Sequence, residues 1–227
     1  MKNKKIIFFS NIYNPYQRDF LNSVSKKAII KAIFNGENIY NSPWNIKQDS
    51  ISKNISKYNY FDRRNYYKKL LKNFNPNVIL IGGYNIRDIF TILFLAKKKF
   101  KLFFFLEIPK NNFLIGLFLK KIYLYFFFKF FNCSGIFAIG KNAQKYYSKF
   151  NKKVFNLPYS INGSSYKQNN FKKKNYLKFI FVGQLIERKG IDILLDAFIK
   201  LNNSLIKDRF EINIIGDGPQ KKLVQNF

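Results

Sequence analysis

Histidine is absent from this sequence. That absence removes imidazole general bases, His-dependent catalytic triads and His-ligated zinc together. Cysteine occurs once, at Cys133, so no internal disulfide can form and the usage suits a reducing cytosol. A small buried side chain is the commoner role for such a residue, a reactive thiol the rarer one. Acidic residues are scarce, 12 against 41 lysines and arginines, and the formal net charge is +29. No cluster of metal-ligand residues is visible, and none is expected to hold a metal.

Long uninterrupted apolar runs are missing as well. The opening MKNKKIIFFSNIYNPYQ has a basic lead followed by only four apolar residues, which reads as a first strand and not as a signal peptide. The strongest membrane candidate is residues 113–131, FLIGLFLKKIYLYFFFKFF, with Lys120 and Lys121 near its middle. Each lysine there costs about 2.5–3.5 kcal/mol on insertion scales, which argues against a spanning helix. Lys129 falls on the opposite side of a helical wheel from Lys120, so the pattern is not cleanly amphipathic. Two readings remain, a core helix with snorkelling lysines and a membrane-surface helix.

What is present is apolar and basic. The chain of 227 residues is 47% apolar and 19% aromatic, enough to build one large domain, or one domain and part of another. Lysine (35), asparagine (29), phenylalanine (28) and tyrosine (15) dominate. All have A/T-rich codons, so nucleotide bias is one account of the charge and selection for an acidic partner the alternative. Either way it attracts polyanions, whether nucleic acid or an anionic membrane face.

Short apolar strands alternate with longer helical patterns, the mark of parallel βαβ units. Strands are expected at 4–10, 28–34, 78–82, 101–107, 135–140 and 153–158, with a further short one near 58–61 inside a loop covering 35–60. Helices are expected at 15–27, 63–74, 85–99, 113–131 and 141–150. Residues 159–176, rich in Ser, Asn, Gly and Lys, read as a linker between a first domain (1–158) and a second unit (177–227). That second unit has strands at 177–183 and 210–216. Its helix is apolar at Ile191, Leu194, Leu195, Phe198 and Ile199.

The stretch FVGQLIERKGIDILLDAF (181–198) places Gly183 at a strand end, Arg188 and Lys189 in a turn, and Gly190 before a helix. In open parallel sheets ligands bind beyond the carboxyl ends of the strands, where helix N-termini direct unpaired N–H groups. Two cations there suit a diphosphate. The G-x6-G spacing is not a dinucleotide fingerprint, and Lys-Gly order is not a P-loop. A Lys-Gly in a turn is also a common solvated surface feature.

FVGQLIERKGIDILLDAF followed by INIIGDGP (212–219) closely resembles the donor-binding half of group 1 (family 4-type) retaining glycosyltransferases of the GT-B fold. In that family a G-R-L-x-x-x-K-G pattern follows the first strand of the C-terminal domain, and its Arg and Lys grip the donor diphosphate. Lys189 matches the Lys, whereas Gln184 stands at the Arg position; Gln donates a hydrogen bond without neutralising charge, and Arg188 is the neighbouring substitute. Gly216 and Gly218 match the loop beside the nucleotide, and Asp217 is read as a cap for the next helix. SNIYNPYQRDFLNSVSKK (10–27) is similar to the family's acceptor-side segment, with Tyr16 and Arg18 as candidates. PNVILIGGYNIRDIFTILFLAKK (76–98) places Gly83 in its Gly-Gly turn, and LFFFLE (102–107) puts Glu107 at a strand tip.

The resemblance implies an α/β, GT-B-like chain with one complete Rossmann-like parallel-sheet domain and the start of a second. It implies sugar transfer, with retention, from a nucleotide-diphosphate donor to a glycan or lipid-linked acceptor in polysaccharide or cell-envelope synthesis. No cofactor or metal is implied, and cytoplasmic residence, peripheral on the inner membrane face, is expected. Lys189 and Arg188 would stabilise the leaving diphosphate, and Gly183, Gln184, Gly190, Gly216 and Gly218 would line the donor. Glu107 reads as a helper base or acceptor-hydroxyl ligand, with an ordinary charged strand end as the alternative; Arg18 reads as an acceptor-phosphate ligand or a solvated helix residue. The family's later motif, two glutamates seven residues apart that hold the donor ribose and sugar, is not reached, so C-terminal truncation is expected. Two further readings stand beside the enzyme: an inactive remnant, and a basic module binding polyanions or a membrane surface. No specific nucleic-acid recognition is expected.

Overall fold

A computed structural model describes residues 4–11, 13–36, 50–83, 86–96, 99–109, 114–160, 176–202 and 210–227. The chain divides into two compact units, Met1–Ser165 and Tyr166–Phe227. Most of the expected linker at 159–176, and much of the expected loop at 35–60, lies outside the described residues.

The first unit is built on a seven-stranded sheet of β1 (Lys5–Ser10), β2 (Ile29–Phe34), β3 (Ser52–Asn54), β4 (Val78–Ile81), β5 (Lys101–Leu106), β6 (Cys133–Ala138) and β7 (Val154–Asn156). Every neighbouring pair is parallel and the order is β3-β2-β1-β4-β5-β6-β7. This is the doubly wound, Rossmann-like α/β architecture that the alternating pattern implies. From β1 the chain works outward to β3 on one side, then returns to β4 and works outward on the other. The order therefore reverses between β1 and β4, and in sheets of this kind ligands bind at such a switch point, beyond the strands' carboxyl ends.

Central strands of a parallel sheet are covered on both faces, so they read as continuous apolar runs. Ile7, Phe8 and Phe9 of β1 are all fully buried, and their alternation splits them between two layers. Ile7 and Phe9 join Ile79, Ile81, Phe104 and Ile136 against four helices: α2 (Tyr60–Phe74), α3 (Ile89–Ala96), α4 (Leu114–Phe130) and α5 (Lys141–Tyr147). Phe8 joins Ala32, Phe34, Leu80 and Phe105 against Leu21 of α1 (Pro15–Ser25).

Local chemistry sets the helix ends. Asn14 caps α1, its side chain accepting from the Gln17 amide at 2.9 Å, with Pro15 at the first helical position. Asn59 caps α2 by accepting from the Asp62 amide, and Asn75 ends it in the left-handed conformation at φ 45°, just before Pro76. The strand expected near 58–61 is consequently not formed: the Asn59 cap commits Tyr60 and Phe61 to α2, and the short strand is β3, paired with β2. Strand and helix ends elsewhere differ from expectation by a few residues, as at β6, which starts at Cys133 and not at 135.

The second unit contains β8 (Leu177–Val182) and β9 (Phe210–Ile215), paired in parallel, with α6 (Ile191–Asn202) and α7 (Lys221–Gln225). A 3-10 turn, Glu187–Lys189, precedes α6. Its core is Leu185, Ile191 and Leu195, with Phe181, Leu194, Ile214 and Val224 packed around them. Most side chains of β8 are exposed, Val182 at 71%, because two strands and one long helix offer little to cover both faces.

Candidate functional site

In the second unit, the candidate donor residues collect beyond the carboxyl ends of β8 and β9. The loops after these strands are zipped together. The Gly183 amide donates to the Ile215 carbonyl at 3.0 Å, the Leu185 amide to Asp217 at 2.9 Å, and the Gln220 amide to Leu185 at 3.0 Å. Two glycines are explained by this closeness alone. A Cβ on Gly216 would sit 1.8 Å from the Gly183 carbonyl oxygen, and Gly218, at φ 151°, lies against the Leu185 backbone. Gly183 is different: a Cβ there would meet nothing closer than the Phe181 ring at 3.8 Å, and its φ is not one that requires glycine. Packing among the described residues does not account for Gly183, whereas close approach of a ligand would.

Gly190 adopts φ 65° and ends the 3-10 turn. The Lys189 and Gly190 amides are used inside that turn, donating to Ile186 and Glu187 at 2.8 Å each. The amides on offer at the start of α6 are therefore those of Ile191, Asp192 and Ile193, the first of which donate to no carbonyl of their own helix. Arg188, Lys189 and Gln184 are exposed. Glu187 and Asp192 flank the two cations, so the local charge is balanced and an anion would be held by directed donors more than by net charge. Asp217 does not cap α7, whose cap position is Gln220. Its carboxylate accepts from the Gly218 amide at 2.9 Å and pairs with Lys221 at 3.4 Å, and these hold its pKa below the ordinary value, the amide contributing most.

In the first unit, polar groups gather at the switch point. Ser10 ends β1, and its Oγ accepts from Gln17 Nε2 at 2.8 Å. Gln17 Oε1 and Asn35 Oδ1 are both buried without a hydrogen-bond partner. Such atoms are expensive to bury dry and mark places where water or a ligand hydroxyl belongs. Asn35 Nδ2 donates to the Tyr67 hydroxyl at 2.9 Å and the Arg87 carbonyl at 2.6 Å. Behind it Arg63 and Asp88 form a buried ion pair, Nε to Oδ2 at 2.5 Å, joined by the Tyr67 hydroxyl at 3.1 Å. Gly83 sits nearby with φ 132°.

Glu107 follows β5 with an exposed side chain, and its Oε1 accepts from the Tyr159 hydroxyl at 2.7 Å. Tyr159 also stacks on Tyr16, centroids 5.2 Å apart, and meets Phe105 edge-on. Burial first, then the Glu107 bond, pushes the Tyr159 phenol upward, so it stays a donor at neutral pH. The structure thus joins Glu107 and Tyr16 through Tyr159, a residue the sequence reading assigned to the linker. The one signal for it was its place directly after Pro158 at a strand end. Arg18 is exposed and pairs with its neighbour Asp19 at 3.2 Å, apart from this cluster. Among the described residues no group of three or more Cys, Asp or Glu could hold a metal.

Comparison with known proteins finds a family match in the second unit and a fold likeness over the whole chain. Residues 164–227 match the family model "Glycosyl transferases group 1", a segment that contains β8, the Lys189 turn, α6 and the β9 loop. The whole chain resembles in fold the solved UDP-GlcNAc 2-epimerase from Methanocaldococcus jannaschii, with a TM-score of 0.53 at 12% identity, over 99% of this chain and 68% of that one. At that identity the likeness is one of architecture. No curated protein matches the sequence.

Proposed function

We propose that this chain is a glycosyltransferase of the group 1 type, moving a sugar from a nucleotide diphosphate to a glycan or lipid-linked acceptor with retention at the anomeric carbon. The observation that carries the reading is Gly183. It is a glycine that packing among the described residues does not require, it lies at a strand's carboxyl end before α6, and it falls inside the segment matched by the family model.

In this reading the diphosphate lies over Gly183 and against the first amides of α6, with Lys189 and Arg188 reaching it from the preceding turn. As the bond from the anomeric carbon to the phosphate oxygen breaks, its electron pair stays on the phosphate. The added charge is met by helix amides and two cations already in place. The acceptor hydroxyl passes its proton to that departing phosphate oxygen. Within the first unit, Glu107 is held through Oε1 by the Tyr159 hydroxyl, and its second carboxylate oxygen would serve a hydroxyl ligand bound to that unit. Gln184 donates a hydrogen bond where the family pattern has a cation.

Isothermal titration with uridine, guanosine and adenosine diphosphates tests the donor site. Binding of at least one is expected, weakened about tenfold or more by Lys189→Ala and by Gly183→Ala, with unchanged thermal melting for Gly183→Ala. Absence of binding at millimolar ligand, or binding indifferent to both substitutions, rejects the proposal.

A further inference from the structure

Helix α4 is apolar in sequence on nearly every side, yet among its described side chains the fold buries one stripe. Leu124, Phe127, Phe128 and Phe131 lie in the core at the i, i+3, i+4, i+7 spacing. Next to them Leu119, Ile122, Tyr123, Tyr125, Phe126 and Phe130 face outward, with Phe126 63% and Phe130 54% exposed. α3 extends the same surface with Phe90 and Phe94, 50% and 58% exposed. Phe94 meets Phe130 and Phe131 edge-on, with centroids 6.2 and 5.4 Å apart. Of these, Phe90, Phe94, Tyr123, Phe126, Phe130 and Phe131 line an open groove of about 640 Å³, in which Lys129 is the one charged group among the described residues. Isolated exposed apolar residues are ordinary, but a contiguous aromatic surface of this kind marks a binding face.

Charge decides what covers it. Between residues 89 and 160 the sequence carries thirteen lysines and one acid, Glu107. Lys121 and Lys129 stand exposed on α4 itself, Lys129 5.9 Å over the Tyr125 ring. A second copy would set one chain of net charge +29 against another. For nucleic acid, the rings pack edge-on against each other and do not stand apart as stacking platforms. Aromatic and aliphatic side chains flanked by lysines, without acids, match the boundary between anionic headgroups and acyl chains. No described helix is long and apolar enough to cross a membrane, so the contact is one of lying on the surface.

We infer that the outer face of α3 and α4 is a docking surface for an anionic phospholipid bilayer, with Phe94, Phe126 and Phe130 entering the interface and Lys121 and Lys129 contacting headgroups. This goes beyond the sugar-transfer reading and does not rest on it.

Flotation of the full chain with vesicles of phosphatidylcholine and phosphatidylglycerol (7:3), and with pure phosphatidylcholine, tests the assignment. Binding to the mixed vesicles is expected, with a fraction surviving 0.5 M salt because apolar insertion is not screened. Phe94→Ser/Phe126→Ser/Phe130→Ser should weaken partitioning about tenfold or more. Phe61→Ser, at a position 71% exposed on α2, should leave it unchanged. Circular dichroism melting checks the fold, and Phe126→Ser alone, with an expected loss of about threefold, serves if the triple variant is unstable. No flotation of the unmodified chain overturns the inference. So does equal flotation of the triple variant, which would leave only general polycation attraction. It fails equally if the unmodified chain is a dimer that the triple variant dissolves while vesicle affinity stays the same.

Discussion

Replacing Arg63 with methionine removes the cation against which Asp88 is buried. Arg63 is 3% exposed, and its guanidinium donates to both Asp88 oxygens, at 2.5 and 3.2 Å, and to the Tyr58 carbonyl. Asp88's hydrogen bond is the main cause that holds the Arg63 pKa above its ordinary value, against the opposing cost of burial. In Arg63→Met the carboxylate, only 8% exposed, keeps the Tyr67 hydroxyl and loses the guanidinium charge. Breaking one side of a buried pair costs about 3–5 kcal/mol. In a unit of this size that corresponds to a fall in Tm of about 6–20 °C. Asp88→Asn tests the other side without disturbing the backbone, since asparagine tolerates the left-handed conformation Asp88 adopts at φ 60°. With both substitutions no buried charge is left, and at least half the loss should return. Thermal melting, with hydrogen exchange at the Ile79–Ile81 amides reporting on the first unit, gives the cycle. A single Arg63→Met within about 2 °C of the parent, or a coupling below about 0.5 kcal/mol, would refute the ion pair's role. The loop it braces also carries Arg87, whose amide donates to Asn11 Oδ1 at 2.9 Å, so loosening should spread to the switch-point polar cluster.

Gly216→Ala drives a methyl into the Gly183 carbonyl and should cost the second unit about 1–3 kcal/mol or more, read as protease sensitivity of that unit with the first unaffected. The Cys133 thiol is pushed by burial from 9.0 to about 12, which lowers its thiolate fraction at pH 8 more than it raises the thiolate's nucleophilicity, so its reaction with a disulfide reagent should be at least about tenfold slower than for an ordinary thiol; equal rates in the native and urea-unfolded chain would contradict this. Glu211 lies opposite Lys178 in the strand register and is held at 2.8 Å, and this bond first, then Asn213, depresses its pKa from 4.5 to about 2. The stabilisation is fully present above the ordinary value of 4.5 and is lost as pH falls toward 2. Lys178→Met should return the carboxyl midpoint toward 4.5 in a carbon-13 titration.

How far the sequence could be read depended on how local the cause was. Asn59 and Asn75-Pro76 bound α2 through groups a few residues away, and even so the cap was missed when Tyr58–Phe61 suggested a strand by aromatic content alone. Gly216 and Gly218 were legible as a loop pattern, but that they are glycines because two loops touch needed coordinates. Tyr159 was invisible as a site residue because its partners, Glu107 and Tyr16, lie 52 and 143 positions away along the chain. The Arg63–Asp88 pair escaped for the same reason.

By itself the sequence determined the alternation of strands and helices, hence a parallel α/β sheet, because hydrophobic period and turn residues are properties of consecutive positions. It also determined the Gly183–Gly190 turn and an excess of positive charge. Only the tertiary structure decided which apolar residues are inside. α4 reads as apolar throughout, and the sheet has room for one of its faces, so packing alone turned Phe126 and Phe130 outward and Phe127 and Phe128 in. Only the fold could leave Gly183 unfilled while filling the space at Gly216, since that distinction depends on what a neighbouring strand's loop happens to occupy.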